Sequence, residues 1–188
     1  MSARHDEGIR GWRVGATAAL AGLIVLSSAG LWVVQRDLQP LIDLAYPGTA
    51  WIGPAELADR LATDGGPVLL DARQPEEYAV SHLRGAVRVD PDAPDVAALG
   101  LRPGDPVVVY CAVGWRSASV AAALRRAGVS NVRNLRGGIF TWAERGEAVV
   151  RGGVEVREVH PFDAWWGLLL DRRLHATDPR SRHDGSDV

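Results

Sequence analysis

Two short apolar runs constrain this chain most. Val68-Leu69-Leu70 lies between Pro67 and Asp71, and Val107-Val108-Val109-Tyr110 lies between Pro106 and Cys111. Unbroken apolar runs of this length, bounded by turn formers, read as strands buried on both faces, the pattern of a sheet covered by helices. Val87-Arg88-Val89 and Val132-Arg133-Asn134-Leu135 are shorter strand candidates. Helical patterns fill the gaps. Pro54 to Leu61 places Leu57, Ala58 and Leu61 on one face, with proline at its start and Gly65-Gly66 beyond its end. Pro75 to Val80, Ser117 to Ala127 (closed by Gly128) and Ile139 to Arg145 follow the same logic. Strands alternating with helices at this pitch predict an α/β layer fold on a mostly parallel sheet.

Composition narrows the chemistry. The 188 residues suit one globular domain plus ends, and 47% hydrophobic with 23% charged residues suits a folded core. Net charge is −2 and the positive residues are scattered, so nucleic acid is not an expected partner. All 21 positive residues are arginine, which excludes Schiff-base chemistry, a P-loop lysine and a lysine base. Cys111 is the single cysteine, so no intrachain disulfide forms. His5, His82, His160, His175 and His183 lack metal-ligand spacing; no metal and no cofactor is expected.

Val14 to Gln35 contains no charged residue and is long enough to cross a bilayer as a helix, with Trp12 and Trp32 near its ends. Arg4, Arg10 and Arg13 precede it and Arg36 alone follows closely, which predicts a cytoplasmic N-terminus and a domain on the periplasmic or extracellular side. The alternative is a signal peptide cleaved near Ala29, which would secrete the domain. The segment from Gln39 to Gly48 reads as a linker.

In such sheets, function collects where strands end and helices begin. Cys111-Ala112-Val113-Gly114-Trp115-Arg116-Ser117 occupies that position, between the most apolar strand and an alanine-rich helix. A loop so placed can turn its backbone N–H groups toward one point, and the following helix adds the positive end of its dipole. Those donors and Arg116 favour a thiolate, so Cys111 is expected to be nucleophilic, and Gly114 lets the loop turn without a Cβ clash. The plainer alternative for a lone cysteine is a buried, inert side chain.

Taken in order, Pro54-Ala-Glu-Leu57, Val68-Leu-Leu-Asp-Ala-Arg-Gln-Pro-Glu-Glu-Tyr78, Ser81-His-Leu-Arg-Gly-Ala86, the Cys111 loop and Leu135-Arg-Gly-Gly-Ile-Phe-Thr-Trp142 resemble the single-domain rhodanese-like sulfurtransferases. The resemblance implies a three-layer fold with a five-stranded parallel sheet. It also implies an enzyme in which the cysteine takes sulfane sulfur from a donor, thiosulfate or a persulfide, and passes it to a thiol or cyanide. On this resemblance Cys111 is the nucleophile and persulfide carrier, and Arg116 closes the loop, binding an anionic donor or holding the loop's shape. The backbone of Ala112, Val113, Gly114, Trp115 and Ser117 stabilises the terminal sulfur. Asp71 and Arg73 support the site, and His82 packs. The implied partners are a small-molecule or protein sulfur donor and a thiol acceptor. A non-catalytic sulfur-binding or docking module uses the same cradle. A cysteine-based phosphatase is disfavoured, because only four residues separate Cys111 from Arg116.

The loop departs from many members in carrying Ala112, Val113 and Trp115 where a basic residue would attract thiosulfate, which tilts the expectation toward an organic persulfide or a protein donor. With no second cysteine, the sulfur must leave on an external acceptor. The chain then divides into a short cytoplasmic N-terminus (1–13), a transmembrane helix (14–35), a linker (36–50), the rhodanese-like domain (51–150), an extension (151–174) and a polar, disordered tail (175–188). In the extension, Val154 to Val159 alternates like an exposed strand. Phe162 to Leu170, with Trp165-Trp166, suggests a short amphipathic helix, either on a membrane surface or packed on the domain.

Overall fold

The computed structural model describes residues 38–162 and 166–176. The expected membrane segment, residues 14–35, lies outside them; among the described residues no helix is long and apolar enough to cross a membrane.

Five strands, β1 (Trp51–Ile52), β2 (Val68–Asp71), β3 (Val87–Arg88), β4 (Val107–Tyr110) and β5 (Val132–Leu135), form one sheet in the order β1-β5-β4-β2-β3. Every neighbouring pair is parallel. This is the rhodanese-like α/β fold expected. Helices α1 (Gln39–Ala45), α2 (Pro54–Leu61), α3 (Pro75–Val80), α4 (Trp115–Arg126) and α5 (Gly138–Glu144) accompany it, and β6 (Val149–Arg151) pairs antiparallel with β7 (Val154–Val156).

Successive side chains of a strand point to opposite faces, and the core divides accordingly. Leu69, Val108 and Tyr110 pack with Leu57 of α2 and Ile139 and Phe140 of α5. Leu70, Val107, Val109 and Cys111 pack with Val120, Ala121 and Leu124 of α4. Each such fully buried aliphatic side chain contributes roughly 1.5–3 kcal/mol. Yet Val107-Val108-Val109 offers the same side chain to both faces, so burial alone sets no register for β4. Tyr110 supplies one: its ring is buried and its hydroxyl accepts the N–H of Leu83 at 3.0 Å.

Three expectations change. The segment read as a linker contains α1, opened by Pro40 at its first turn, and its Ile42 is fully buried, so the folded unit begins before Trp51. The extension carries 3₁₀ turns at Trp166–Leu169 and Arg172–Leu174 where an amphipathic helix was expected; Leu169 and Leu170 pack on the core formed by α2 and α5, while Leu168 is exposed. His175, placed by sequence in the tail, bridges to Val159, and the Val159 N–H donates to the Leu174 carbonyl at 2.7 Å. Tail residues 177–188 lie outside the described residues.

Candidate active site

Cys111 directly follows β4 at the carboxyl edge of the sheet, between two helix starts, and is buried. The chain then turns through Gly114, at φ 104°, directly into α4, which begins at Trp115 and not at Ser117. Only glycine takes that conformation without strain. A Cβ there would also stand 3.4 Å from the Trp51 ring and 3.5 Å from Ile42, so α1 and β1 wall this side of the loop.

The turn delivers the Gly114 N–H to Cys111 Sγ at 3.1 Å. From the first turn of α4, Ser117 Oγ stands 3.4 Å from the same sulfur. Ser117 donates to Asn134 Oδ1 at 2.7 Å, and Asn134 Nδ2 donates to the Gly114 carbonyl at 2.8 Å. A hydroxyl has one proton, so Ser117 serves either Asn134 or a charged sulfur. On the opposite side, α5 holds the loop's carbonyls: the N–H of Ile139 donates to Cys111 O at 2.9 Å and that of Phe140 to Ala112 O at 3.2 Å. Gly138 makes this approach possible, since a Cβ on it would overlap both carbonyls.

Arg116 gives both terminal nitrogens to Glu77, at 2.6 and 2.8 Å. Glu77 is buried, and its Oε2 also accepts the N–H of Gln74 at 3.0 Å, capping α3. Burial opposes the charge of Arg116, but Glu77 and the neighbouring Cys111 outweigh it and hold the guanidinium above its ordinary range. This pair ties the first turn of α4 to α3, a loop-holding contact, and uses two of the five guanidinium N–H groups.

Asp71 and Arg73 form a fully buried pair, with Nη2 to Oδ2 at 2.7 Å, and Arg73 Nη2 also donates to the Ser81 carbonyl at 2.6 Å. Here too burial works against the charge, and Asp71 overcomes it. His82 stacks on Tyr78 with ring centroids 3.9 Å apart, the packing role expected of it. Ala112 and Val113 turn toward the core rather than outward, and Trp115 meets Tyr46 edge-on at 6.1 Å. Ala112 and Val113 are therefore occupied with internal packing, while Trp115 stays half-buried beside Tyr46.

Three residues of the site escaped the sequence reading. Glu77 stood within a quoted motif without a role. Asn134 was visible as a polar residue inside an apolar strand. Phe162 was read as the start of an amphipathic segment with no role at the site, yet its ring covers the Arg116 guanidinium at 4.5 Å.

Residues 53–145 match the model of the Rhodanese-like domain family, and the chain carries a rhodanese-like domain over that stretch. It is 32% identical over 128 residues to the tRNA uridine(34) hydroxylase of Oceanobacillus iheyensis, covering 65% of this chain and 39% of that protein. It is 36% identical over 96 residues to the "Probable adenylyltransferase/sulfurtransferase MoeZ" of Mycobacterium tuberculosis, covering 50% and 24% respectively. The chain thus spans well under half the length of these two relatives. Among solved structures, the polysulfide-sulfur transferase homodimer of Wolinella succinogenes superposes with a TM-score of 0.52 over 61% of this chain and 87% of that one, at 24% identity, a likeness of fold.

Proposed function

We propose that this protein is a sulfurtransferase that carries sulfane sulfur as a persulfide on Cys111, anchored in a membrane through residues 14–35 with its domain on the periplasmic or extracellular side. The observation that carries the chemistry is the setting of Sγ, with the Gly114 N–H at 3.1 Å, the Ser117 hydroxyl at 3.4 Å and a paired arginine beside it. Such donors stabilise negative charge on sulfur. The cysteine thiolate attacks the outer sulfur of the donor and forms an S–S bond. The bond from that sulfur to the rest of the donor breaks, and its electron pair leaves as sulfite or a thiolate. An acceptor thiolate then attacks the outer sulfur of the persulfide and returns Cys111 as thiolate, with no net redox change. Support also comes from a relative with sulfurtransferase in its name.

Intact-protein mass spectrometry tests this reading. After incubation with thiosulfate, and separately with glutathione persulfide, the wild type gains one sulfur atom, removable by cyanide, and Cys111→Ser gains none. Failure to load from either donor would refute it in favour of a binding or docking module.

A further inference from the structure

Beyond the family match, the chain returns to the site. Phe162 is the one non-glycine residue with positive φ among the described residues, at 70°. A bulky side chain rarely adopts this conformation, and such outliers persist where surrounding contacts impose them. The contacts are present. The Phe162 N–H donates to His160 Nδ1 at 2.9 Å, and the Val159 N–H donates to the Leu174 carbonyl at 2.7 Å. Ser81 Oγ donates to the Glu158 carbonyl at 2.6 Å, and Pro161 packs so tightly on Gly167 that a Cβ there would come within 2.9 Å. This strap holds the Phe162 ring 4.5 Å above the guanidinium that borders Cys111, with 38% of the residue open to solvent.

We propose that Phe162 is a specificity-determining residue of the Cys111 site, selecting organic persulfides, R–S–SH, over thiosulfate. The proposal rests on the reading of Cys111 as a sulfur carrier. Thiosulfate is a small, strongly hydrated dianion whose sulfonate oxygens bind best beside positive charge that no carboxylate offsets. Arg116, the cation of this loop, has its charge offset by the bidentate pair with Glu77, and Phe162 covers its face. An organic persulfide needs no cation beside its carbon substituent, which can lie against the exposed ring. In the loading step the Cys111 thiolate attacks the outer sulfur of R–S–SH. The R–S to SH bond breaks, and the products are Cys111–S–SH and R–S⁻.

The test measures initial rates of Cys111 loading by glutathione persulfide and by thiosulfate in the full 188-residue chain. Phe162→Gly removes the ring and suits the positive φ, and Phe162→Tyr keeps an aromatic face. The expected result is a persulfide-to-thiosulfate rate ratio about tenfold lower in Phe162→Gly, the scale of a lost cation–π screen and contact surface, with Phe162→Tyr within about twofold of wild type. An unchanged ratio in Phe162→Gly overturns the proposal and leaves the sulfur-carrier reading intact. So does equal loss of loading from both donors in a Phe162→Gly variant whose circular dichroism matches wild type. Absence of loading from either donor in the wild type fails both.

Discussion

Breaking the Arg116–Glu77 pair tests the assignment of Arg116 to loop holding. Glu77→Gln keeps the shape of the side chain and removes its charge. In the native protein the two carboxylate oxygens face the two guanidinium nitrogens at 2.6 and 2.8 Å, with the Glu77 side chain 1% and the Arg116 side chain 21% exposed. Removing one partner of a buried pair costs roughly 3–5 kcal/mol, because the other charge is left uncompensated. Arg116 keeps some contact with water and has Cys111 nearby, which places the expected loss at the low end, about 3 kcal/mol. For a chain of this size that lowers Tm by about 10 °C. The assay is urea unfolding followed by circular dichroism at pH 7, with a thermal melt as a check. The double variant Glu77→Met/Arg116→Met removes both charges and should recover stability to within about 1 kcal/mol of wild type. A loss below about 1 kcal/mol in Glu77→Gln, the scale of an exposed pair, would refute the reasoning.

Two further outcomes follow from the geometry around Cys111. Gly138→Ala should destabilise the fold by about 3 kcal/mol, because its Cβ meets the carbonyls of Cys111 and Ala112 in a backbone already at φ 56°; denaturant midpoints check this, and an unchanged midpoint would contradict the close approach of α5. Burial, with Asp71 second, raises the Tyr110 hydroxyl well above its ordinary value of 10.0. The unfolded chain therefore ionises first as pH rises, so this contribution is full below pH 10, declines as pH climbs toward the folded value, and costs stability there. Tyr110→Phe should lose about 1–2 kcal/mol at pH 8, where the Leu83 N–H loses its acceptor, and show a shallower decline above pH 10 in urea titrations. Equal slopes in the two proteins would count against the burial argument.

How far the sequence reached depended on the range of the interactions. The runs Val68–Leu70 and Val107–Tyr110, the prolines opening α2 and α3 and the helix closed by Gly128 carry their signals within a few residues, and those elements stand where the patterns put them. The strand-to-helix position of Cys111 was legible for the same reason. α1 was not: Pro40 and Pro47 suggest a linker locally, and only the burial of Ile42 beside Gly114 makes the segment helical and part of the fold.

The rest was decided by contacts across long stretches of chain. Sequence supplied Arg116 with two roles, and Glu77, 39 residues earlier, gives it a loop-holding contact through two of its N–H groups. Trp115 read as an apolar lip, and Tyr46, from the end of α1, meets its ring edge-on. Asn134 and Ser117 became one network with Cys111 only when β5 lay beside β4. Phe162 reached the mouth through a strap anchored to residues on both sides of it. Sequence by itself determined the sheet's strands, the helices between them and where the single thiol stands, because short-range periodicity and turn chemistry govern both. Tertiary structure alone decided what each charge near that thiol is paired with, because pairing depends on which distant segments the packed sheet brings within 3 Å.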